Sequence, residues 1–235
     1  MKTNRGNNLE LSIVIPAYNE EENIGKTVLD ALNVAEKCFD GFEIIIVDDF
    51  SKDNTSLIVE RLMKKHSEVI LISHKKNKGK AAALNTGFEV AKGEYIFYTD
   101  ADNQYSMDNI KGLKRLIGKA DIVSGCRINK AISPFRRFAS DLYNLIARMF
   151  LGIKAKDIEC AFKLFKSDEL KRIKIESSNF MVETEILAKA TRLGLNIIDF
   201  PVRHYPRTGG ETSVSPLRDA FRSIKGLLYL KWTVS

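Results

Sequence analysis

Asp100, Asp102 and Gln104 alternate in the run Asp100-Ala-Asp-Asn-Gln104. On an extended segment alternate residues share a face, so three oxygen-bearing side chains are presented together. Hard divalent cations such as Mg2+ and Mn2+ take oxygen ligands and bind readily beside phosphates. A cation that bridges two phosphates also stabilises a diphosphate as it leaves. The same run suits a helix cap, since Asp102, Asn103 and Ser106 can all accept N–H groups ahead of a helix near Met107. Asp48-Asp49 places carboxylates at a second turn, where acids bind ribose or base donor groups, while Ser51 and Asp53 can cap the helix that follows. The basic loop His74-Lys-Lys-Asn-Lys-Gly-Lys80 runs to a helix start, where backbone N–H groups and lysines suit phosphate. Gly79 and Lys80 are the best placed for that, whereas Lys75, Lys76 and Lys78 read as a solvated charge run. The glycine spacing is not that of a Walker A loop.

The elements that must hold these residues follow from the apolar pattern. Leu11–Ile15, Glu43–Val47, Val69–Ser73 and Tyr95–Thr99 are short runs rich in Ile and Val, which predict buried strands, with Ile122–Ser124 as a further one. Between them Glu21–Cys38, Asp53–Lys65, Lys80–Ala91 and Met107–Ile117 have helical periodicity. Such alternation predicts an α/β fold with a mainly parallel, Rossmann-like sheet, right-handed crossovers and helices on both faces. In the second half Pro134–Phe150 and Glu183–Leu193 predict helices, the latter stopped by Gly194. Ile197–Phe200 predicts a strand broken by Pro201, Arg207 to Ser215 a polar loop, and Pro216–Trp232 an amphipathic helix. Each early strand ends in polar residues: Pro16-Ala-Tyr-Asn-Glu20, Asp48-Asp-Phe-Ser51, the 74–80 loop and Asp100 to Gln104. Ligands of parallel sheets sit beyond the carboxyl ends of the strands, so the four clusters should converge on one crevice.

The 235 residues carry a net charge of +7 and 44% apolar residues. That length fits one large domain, or one with an appendage. The charge attracts phosphates of any kind, in nucleic acid, nucleotide or anionic lipid. Cys38, Cys126 and Cys160 are far apart and odd in number, which argues against a zinc site or a disulfide frame and for buried free thiols in a reducing compartment. Met1 to Leu9 is polar, with no apolar signal region, and no run of about 18 apolar residues occurs. The expectation is a chain that is soluble or lies on a membrane.

Ile13-Val-Ile-Pro-Ala-Tyr-Asn-Glu20, Val47-Asp-Asp-Phe-Ser-Lys-Asp-Asn-Thr55, Asn77-Lys-Gly-Lys80 and Asp100-Ala-Asp-Asn-Gln104, in this order, resemble the donor-site motifs of family-2 glycosyltransferases. The resemblance implies a GT-A (nucleotide-diphospho-sugar transferase) fold and an inverting transfer from a nucleotide-diphosphate sugar. By the same resemblance Pro16, Tyr18, Glu20 and Asp49 hold the nucleoside, and Asp100, Asp102 and Gln104 lie around the metal (Mg2+ or Mn2+) and the diphosphate. Phe50 stands where the family usually has glycine. In the second half Ser124-Gly-Cys-Arg127, Arg136-Arg-Phe-Ala-Ser140, Asp157-Ile-Glu-Cys-Ala-Phe-Lys163 and His204-Tyr-Pro-Arg207 resemble dolichyl- or polyprenyl-phosphate sugar synthases. This implies that Arg127, Arg136 and Ser140 grip a lipid phosphate and that Arg207 lies on a loop closing over the donor. It also gives an acid at the position of Glu183 a contact to acceptor or sugar, although Glu183 and Glu185 equally read as acids favoured at a helix start. Ala161 and the Gly209-Gly-Glu-Thr-Ser213 loop depart from the pattern, which leaves the donor open between GDP-mannose and UDP-glucose.

The residues support this independently. Arg136 and Ser140 are four apart, so a helix places them on one face, and the arginine fork matches phosphate oxygens. Phe138, Leu142, Leu145, Ile146, Met149, Phe150 and Leu151 are more apolar than a solvated face requires; they pack on the core or enter a lipid headgroup region. The helix from Pro216 poses the same alternatives, and Trp232 suits a membrane boundary. A phosphomonoester is already largely ionised at neutral pH, with its second pKa near about 6, and so attacks an anomeric carbon without an enzymic base. Catalysis then reduces to positioning and charge management, with Asp102, Arg127 and Arg207 as the catalytic set. The expected layout is a domain over 1–215, with a donor half at about 11–125 and an acceptor half at about 126–215, then a helix over 216–235. The expected place is the cytoplasmic face of a membrane, held peripherally. Rival readings are a transferase of the same fold with a saccharide or protein hydroxyl acceptor, a nucleotidyltransferase, and a non-enzymatic nucleic-acid-binding domain. The first needs a base near Glu183. The second usually has a glycine-rich loop after the first strand. The third needs clustered basic residues with stacking aromatics, and here the basic residues are dispersed, so no nucleic-acid partner is expected.

Overall fold

Leu11–Ala17 (β1) is buried at all seven positions, and Phe42–Asp48 (β2) at its last six. Successive strand residues point to opposite faces, so burial on both parities means that both faces of the sheet are covered. The computed structural model describes residues 9–177, 181–207, 209 and 226–232. The other strands are Val69–Ser73 (β3), Tyr95–Thr99 (β4), Ile122–Asn129 (β5), Phe162–Lys166 (β6) and Ile197–Arg203 (β7). The helices are Ile24–Cys38 (α1), Thr55–Met63 (α2), Lys80–Val90 (α3), Ile110–Ile117 (α4), Pro134–Leu151 (α5), Ser167–Lys171 (α6) and Val182–Arg192 (α7).

One seven-stranded sheet runs in the order β3-β2-β1-β4-β6-β5-β7. All pairs are parallel except those of β6, which runs antiparallel to β4 and β5. The two halves of the chain therefore share one sheet. The chain winds from β1 outward to β3, then returns to place β4 on the other side of β1. That reversal opens a crevice at the carboxyl ends of β1 and β4, the usual ligand position in such sheets. Gly87 lets α3 approach closely, since a Cβ there would lie 2.4 Å from Val14 Cγ1.

Four expectations need correction. Pro201 does not break its strand: β7 runs through it to Arg203, paired among the described residues only with β5. It is an edge strand, where a missing N–H is tolerated. Phe162–Lys166, not foreseen as a strand, is the antiparallel β6. The helix from Met107 to Ile117 begins as a 3-10 turn, Met107–Asn109, with Ser106 at its N-cap position but no side-chain cap bond, so the hydroxyl and carboxylate capping read from the sequence is not formed. All three cysteines are free, but Cys160 alone is fully buried; Cys38 and Cys126 are half-buried.

α5 starts on Ser133, whose hydroxyl accepts the Arg136 N–H, with Pro134 in the first turn, and ends on left-handed Gly152. Ala147 of α5 packs with Leu187, Leu227 and Leu230 in a second apolar cluster, which docks the helical residues 226–232. Residues 210–225, with most of the polar loop and the first part of the expected last helix, lie outside the described residues, as do residues 1–8.

Candidate functional site

The β1 and β2 ends are laced together. Asp49 N–H donates to Ala17 O at 2.9 Å, Asn19 N–H to Ser51 Oγ at 2.9 Å, Glu20 N–H to Thr55 Oγ1 at 2.8 Å and Lys52 N–H to Asn19 Oδ1 at 2.8 Å. Pro16 lies in β1 past its last pairing with β4, at Val14. Tyr18 projects from this turn 42% exposed. Asn19, Phe50 and Asn103 have positive φ, one at each of three strand ends, a clustering of strain typical of functional sites.

Asp48 and Asp49 are buried and their oxygens are occupied within the chain. Asp48 accepts from the Ser51 N–H and hydroxyl and, at 2.6 Å, from the Ser56 hydroxyl. Asp49 accepts from His74 Nδ1 at 2.7 Å, Lys78 N–H at 2.8 Å and Gly79 N–H at 2.7 Å. Asp49 thus shapes the basic loop and the entry to α3. Gly79 has φ of 88°, a left-handed position that favours glycine. His74 was missed in the sequence because a histidine beside lysines reads as surface charge; it is buried, and its Nε2 lies 3.0 Å from the Thr86 hydroxyl.

Lys80 does not stand free for a phosphate. Its ammonium lies 2.7 Å from Asp100 and 2.6 Å from Glu183. Tyr98 also donates its hydroxyl to Glu183, at 3.1 Å. The two carboxylates outweigh burial and hold Lys80 protonated, while its charge keeps Glu183 below the usual carboxylate range despite burial. Beside this cluster Asp102 is pushed up to about 7, first by burial, then by the charges of Asp100 and Glu20, against the Gln104 N–H and Arg207. Gln104 donates its amide to Tyr205 O at 3.0 Å, which leaves its carbonyl oxygen as a ligand. Arg207 pairs with Glu20 at 2.7 Å and donates to Gly209 O at 2.6 Å. Glu20, Asp100, Asp102 and Arg207 therefore act on one another in one place.

β6 brings the opposite side in. Phe162 is in register with Thr99, so the preceding 157–161 loop emerges at the carboxyl ends of β4 and β5. A Cβ on Gly125 would lie 2.8 Å from Phe162 O and 2.9 Å from Cys160 Sγ, so only glycine lets the loop cross there. Asp157 takes the Arg127 fork on both oxygens, at 2.7 Å each. Ser140 donates to Glu159 at 2.8 Å and accepts from Lys130 at 3.0 Å. Lys130 was not singled out in the sequence, nor were Asp157 and Glu159 given roles, since their partners lie 10 to 30 residues away. Arg136 is half-exposed on the first turn of α5. Tyr105 and His204 join the two sides: their rings meet edge-on at 5.3 Å, and the charges of Arg127 and Asp100 reach both. His204 Nδ1 accepts the Ala131 N–H at 3.2 Å.

Among the described residues no three His, Cys, Asp or Glu side chains are grouped to hold a metal alone. Mg2+ commonly takes one or two carboxylates and completes its shell with substrate phosphates and water. The crowded carboxylates at Asp102, with the Gln104 oxygen beside them, fit a cation held in that way. A cavity of about 350 Å3 lies at the far end of α5, between Met149–Gly152, Arg192, Leu230 and Lys231, and includes none of these residues.

The sequence matches the family described as Glycosyl transferase family 2 over residues 12–173. It is 30% identical over 237 residues to glycosyltransferase AglD of Haloferax volcanii, covering 97% of this chain and 38% of AglD. It therefore spans well under half the length of that relative. It is 31% identical over 224 residues to the dolichyl-phosphate beta-glucosyltransferase ALG5A of Trichomonas vaginalis, covering 87% of this chain and 68% of that one. Glucosyl-3-phosphoglycerate synthase from Mycobacterium tuberculosis, solved in complex with Mn2+, uridine diphosphate and glucosyl-3-phosphoglycerate, superposes with a TM-score of 0.74 at 18% identity, over 95% of this chain and 80% of that one. That likeness speaks to the fold, which is the GT-A fold.

Proposed function

We infer, from the fact that this chain belongs to glycosyl transferase family 2, that it moves a hexose from GDP-mannose or UDP-glucose to a dolichyl or polyprenyl phosphate, with inversion and with a divalent metal. One observation carries the choice of a phosphate acceptor. Glu183, the acid best placed to act as a base toward a hydroxyl, is locked against Lys80 and Tyr98 and kept ionised by Lys80. A hydroxyl acceptor needs a base with a pKa near the working pH; a phosphomonoester brings its own charged oxygen.

In this reading Pro16, Tyr18, Glu20 and Asp49 frame the nucleoside, Asp49 by fixing Gly79 and the 74–80 loop and Asp48 by fixing Ser51. Asp102 and Gln104, beside Asp100, would hold Mg2+ or Mn2+, which when bound supplies Lewis-acid neutralisation of the diphosphate. Arg207, released from Glu20, adds positive charge at the leaving group. Arg127 spends two of its five N–H donors on Asp157 and offers the remainder to the acceptor phosphate with Arg136 and with the Ser140 hydroxyl, once its proton turns from Glu159. Aligned in this way, an acceptor oxygen attacks the anomeric carbon opposite the departing diphosphate, which inverts the configuration.

The lipid tail suggests a membrane surface. Among the described residues no helix is long and apolar enough to cross a membrane. α5 instead exposes Phe138, Leu142, Leu145, Ile146 and Met149 at helical spacing, flanked by Arg137 and Arg148, and residues 226–232 expose Leu228, Tyr229 and Trp232. Apolar stripes with basic flanks lie in the interfacial zone of anionic bilayers. The test is a panel of sugar nucleotides with one polyprenyl phosphate, with and without chelator. A chelator-sensitive, anomerically inverted lipid-linked sugar is expected. Transfer to saccharide hydroxyls alone would overturn the acceptor assignment.

A further inference from the structure

Lys163 lies in β6 with no solvent exposure at all, and nothing above gives it a task. A buried ammonium is costly unless it is paired and hydrogen-bonded, and an unbranched apolar side chain would fill the same space without that cost. Its hydrogen bonds show where it acts. The Nζ donates to Ile158 O at 3.0 Å and to Cys160 O. Both carbonyls belong to the 157–161 loop, which carries Asp157 against Arg127 and Glu159 against Ser140. A further bond, Ile158 N–H to Asn144 Oδ1 at 2.7 Å, ties the loop to α5. The loop is thus held from β5, from α5 and, underneath, from Lys163.

The other side of Lys163 faces the donor half. It is in register with Tyr98 on β4 and with Ser124 on β5, and its Nζ lies 5.9 Å from the centre of the Tyr98 ring. Tyr98 donates to Glu183, Glu183 pairs with Lys80, and Lys80 pairs with Asp100. Burial and the Lys80 charge pull the Lys163 ammonium below its ordinary range, and the Glu183 and Asp157 carboxylates oppose this only in part.

We propose that Lys163 is a positioning residue that fixes the 157–161 loop, and through it Arg127 and Ser140, against the Asp100–Lys80–Glu183 cluster, setting the acceptor phosphate at a defined place relative to the donor. The acceptor part rests on the function proposed above; the bracing of the loop does not.

Lys163→Met in the full chain tests both. Amide hydrogen exchange of the 157–161 loop should quicken at least tenfold while β1 to β4 stay protected. The KM for polyprenyl phosphate should rise about tenfold, with the Kd for the nucleoside diphosphate within twofold. Lys163→Gln keeps one donor for a carbonyl and should fall between; it serves as the variant if the methionine form does not fold. Unchanged loop exchange, or a uniform rise in exchange across the sheet with acceptor KM constant, overturns the proposal. If the wild type turns over no lipid phosphate, the acceptor assignment falls on its own, while the exchange data still decide the brace.

Discussion

Arg207 pairs with Glu20 across 187 residues of sequence, its Nη2 lying 2.7 Å from Glu20 Oε2. The pair joins the turn after β1 to the segment after β7 and places a guanidinium whose charge reaches the Asp102 carboxyl. Arg207→Ala removes the charge that, under the proposed function, is offered to the leaving diphosphate. It should lower kcat by about 10²-fold, the usual scale for one electrostatic contact to a transition state. Turnover against binding of the unreacted donor separates the effects; an equal loss of both would make Arg207 a simple donor-binding residue.

Asp102→Asn should abolish chelator-sensitive transfer and leave the fold intact. Burial first, then the charges of Asp100 and Glu20, push the Asp102 carboxyl up to about 7, so a neutral isostere relieves both costs and the Tm should hold or rise. Full activity of this variant in chelator would remove Asp102 from the metal site.

Arg136→Ala should raise the KM for lipid phosphate about tenfold or more, on the scale of one charge-assisted contact of about 1.5–3 kcal/mol, with little change in nucleotide affinity. Arg136 is half-exposed on the first turn of α5. Parallel losses in both affinities, measured by titration and kinetics, would contradict its assignment to the acceptor side.

Phe50 holds φ of 69° while 37% exposed, and Lys52 Nζ sits 3.3 Å from its ring centre. A left-handed conformation costs a side chain with Cβ about 1–2 kcal/mol, and asparagine tolerates it better. Phe50→Asn should therefore raise the Tm by about 2–4 °C. A lowered Tm in calorimetry would show that the ring contributes more contact than the strain removes.

His204 is pulled down to about 4 by burial and by the charge of Arg127. An unfolded histidine titrates near about 6.5, so between these values the unfolded chain binds the extra proton and stability falls as the pH is lowered. His204→Asn should flatten that part of the stability curve between about pH 6.5 and 4, read as denaturation midpoints at each pH. An identical slope in the variant would place the proton uptake elsewhere.

The chain by itself determined the parallel core and the polar residues at its strand ends. The buried runs of β1 to β4 are short, β-branched and separated by helical periodicity, and each ends in polar residues, so the crevice and its acids followed from local pattern. β6 was not legible, because five residues between a polar loop and a short helix carry no period of their own. Its antiparallel insertion between β4 and β5 is fixed by pairing with residues 39 to 71 positions away, from Ser124 with Lys163 to Tyr95 with Lys166. Pro201 argued against a strand locally, and only its place on a sheet edge made one acceptable. Tertiary structure alone decided which charges are committed: Lys80 to Asp100 and Glu183, Arg127 to Asp157, Asp49 to the His74 loop, and Lys163 to two carbonyls. A residue type shows that a charge exists; its partner depends on which strand ends the sheet brings within about 3 Å, the reach of a hydrogen bond.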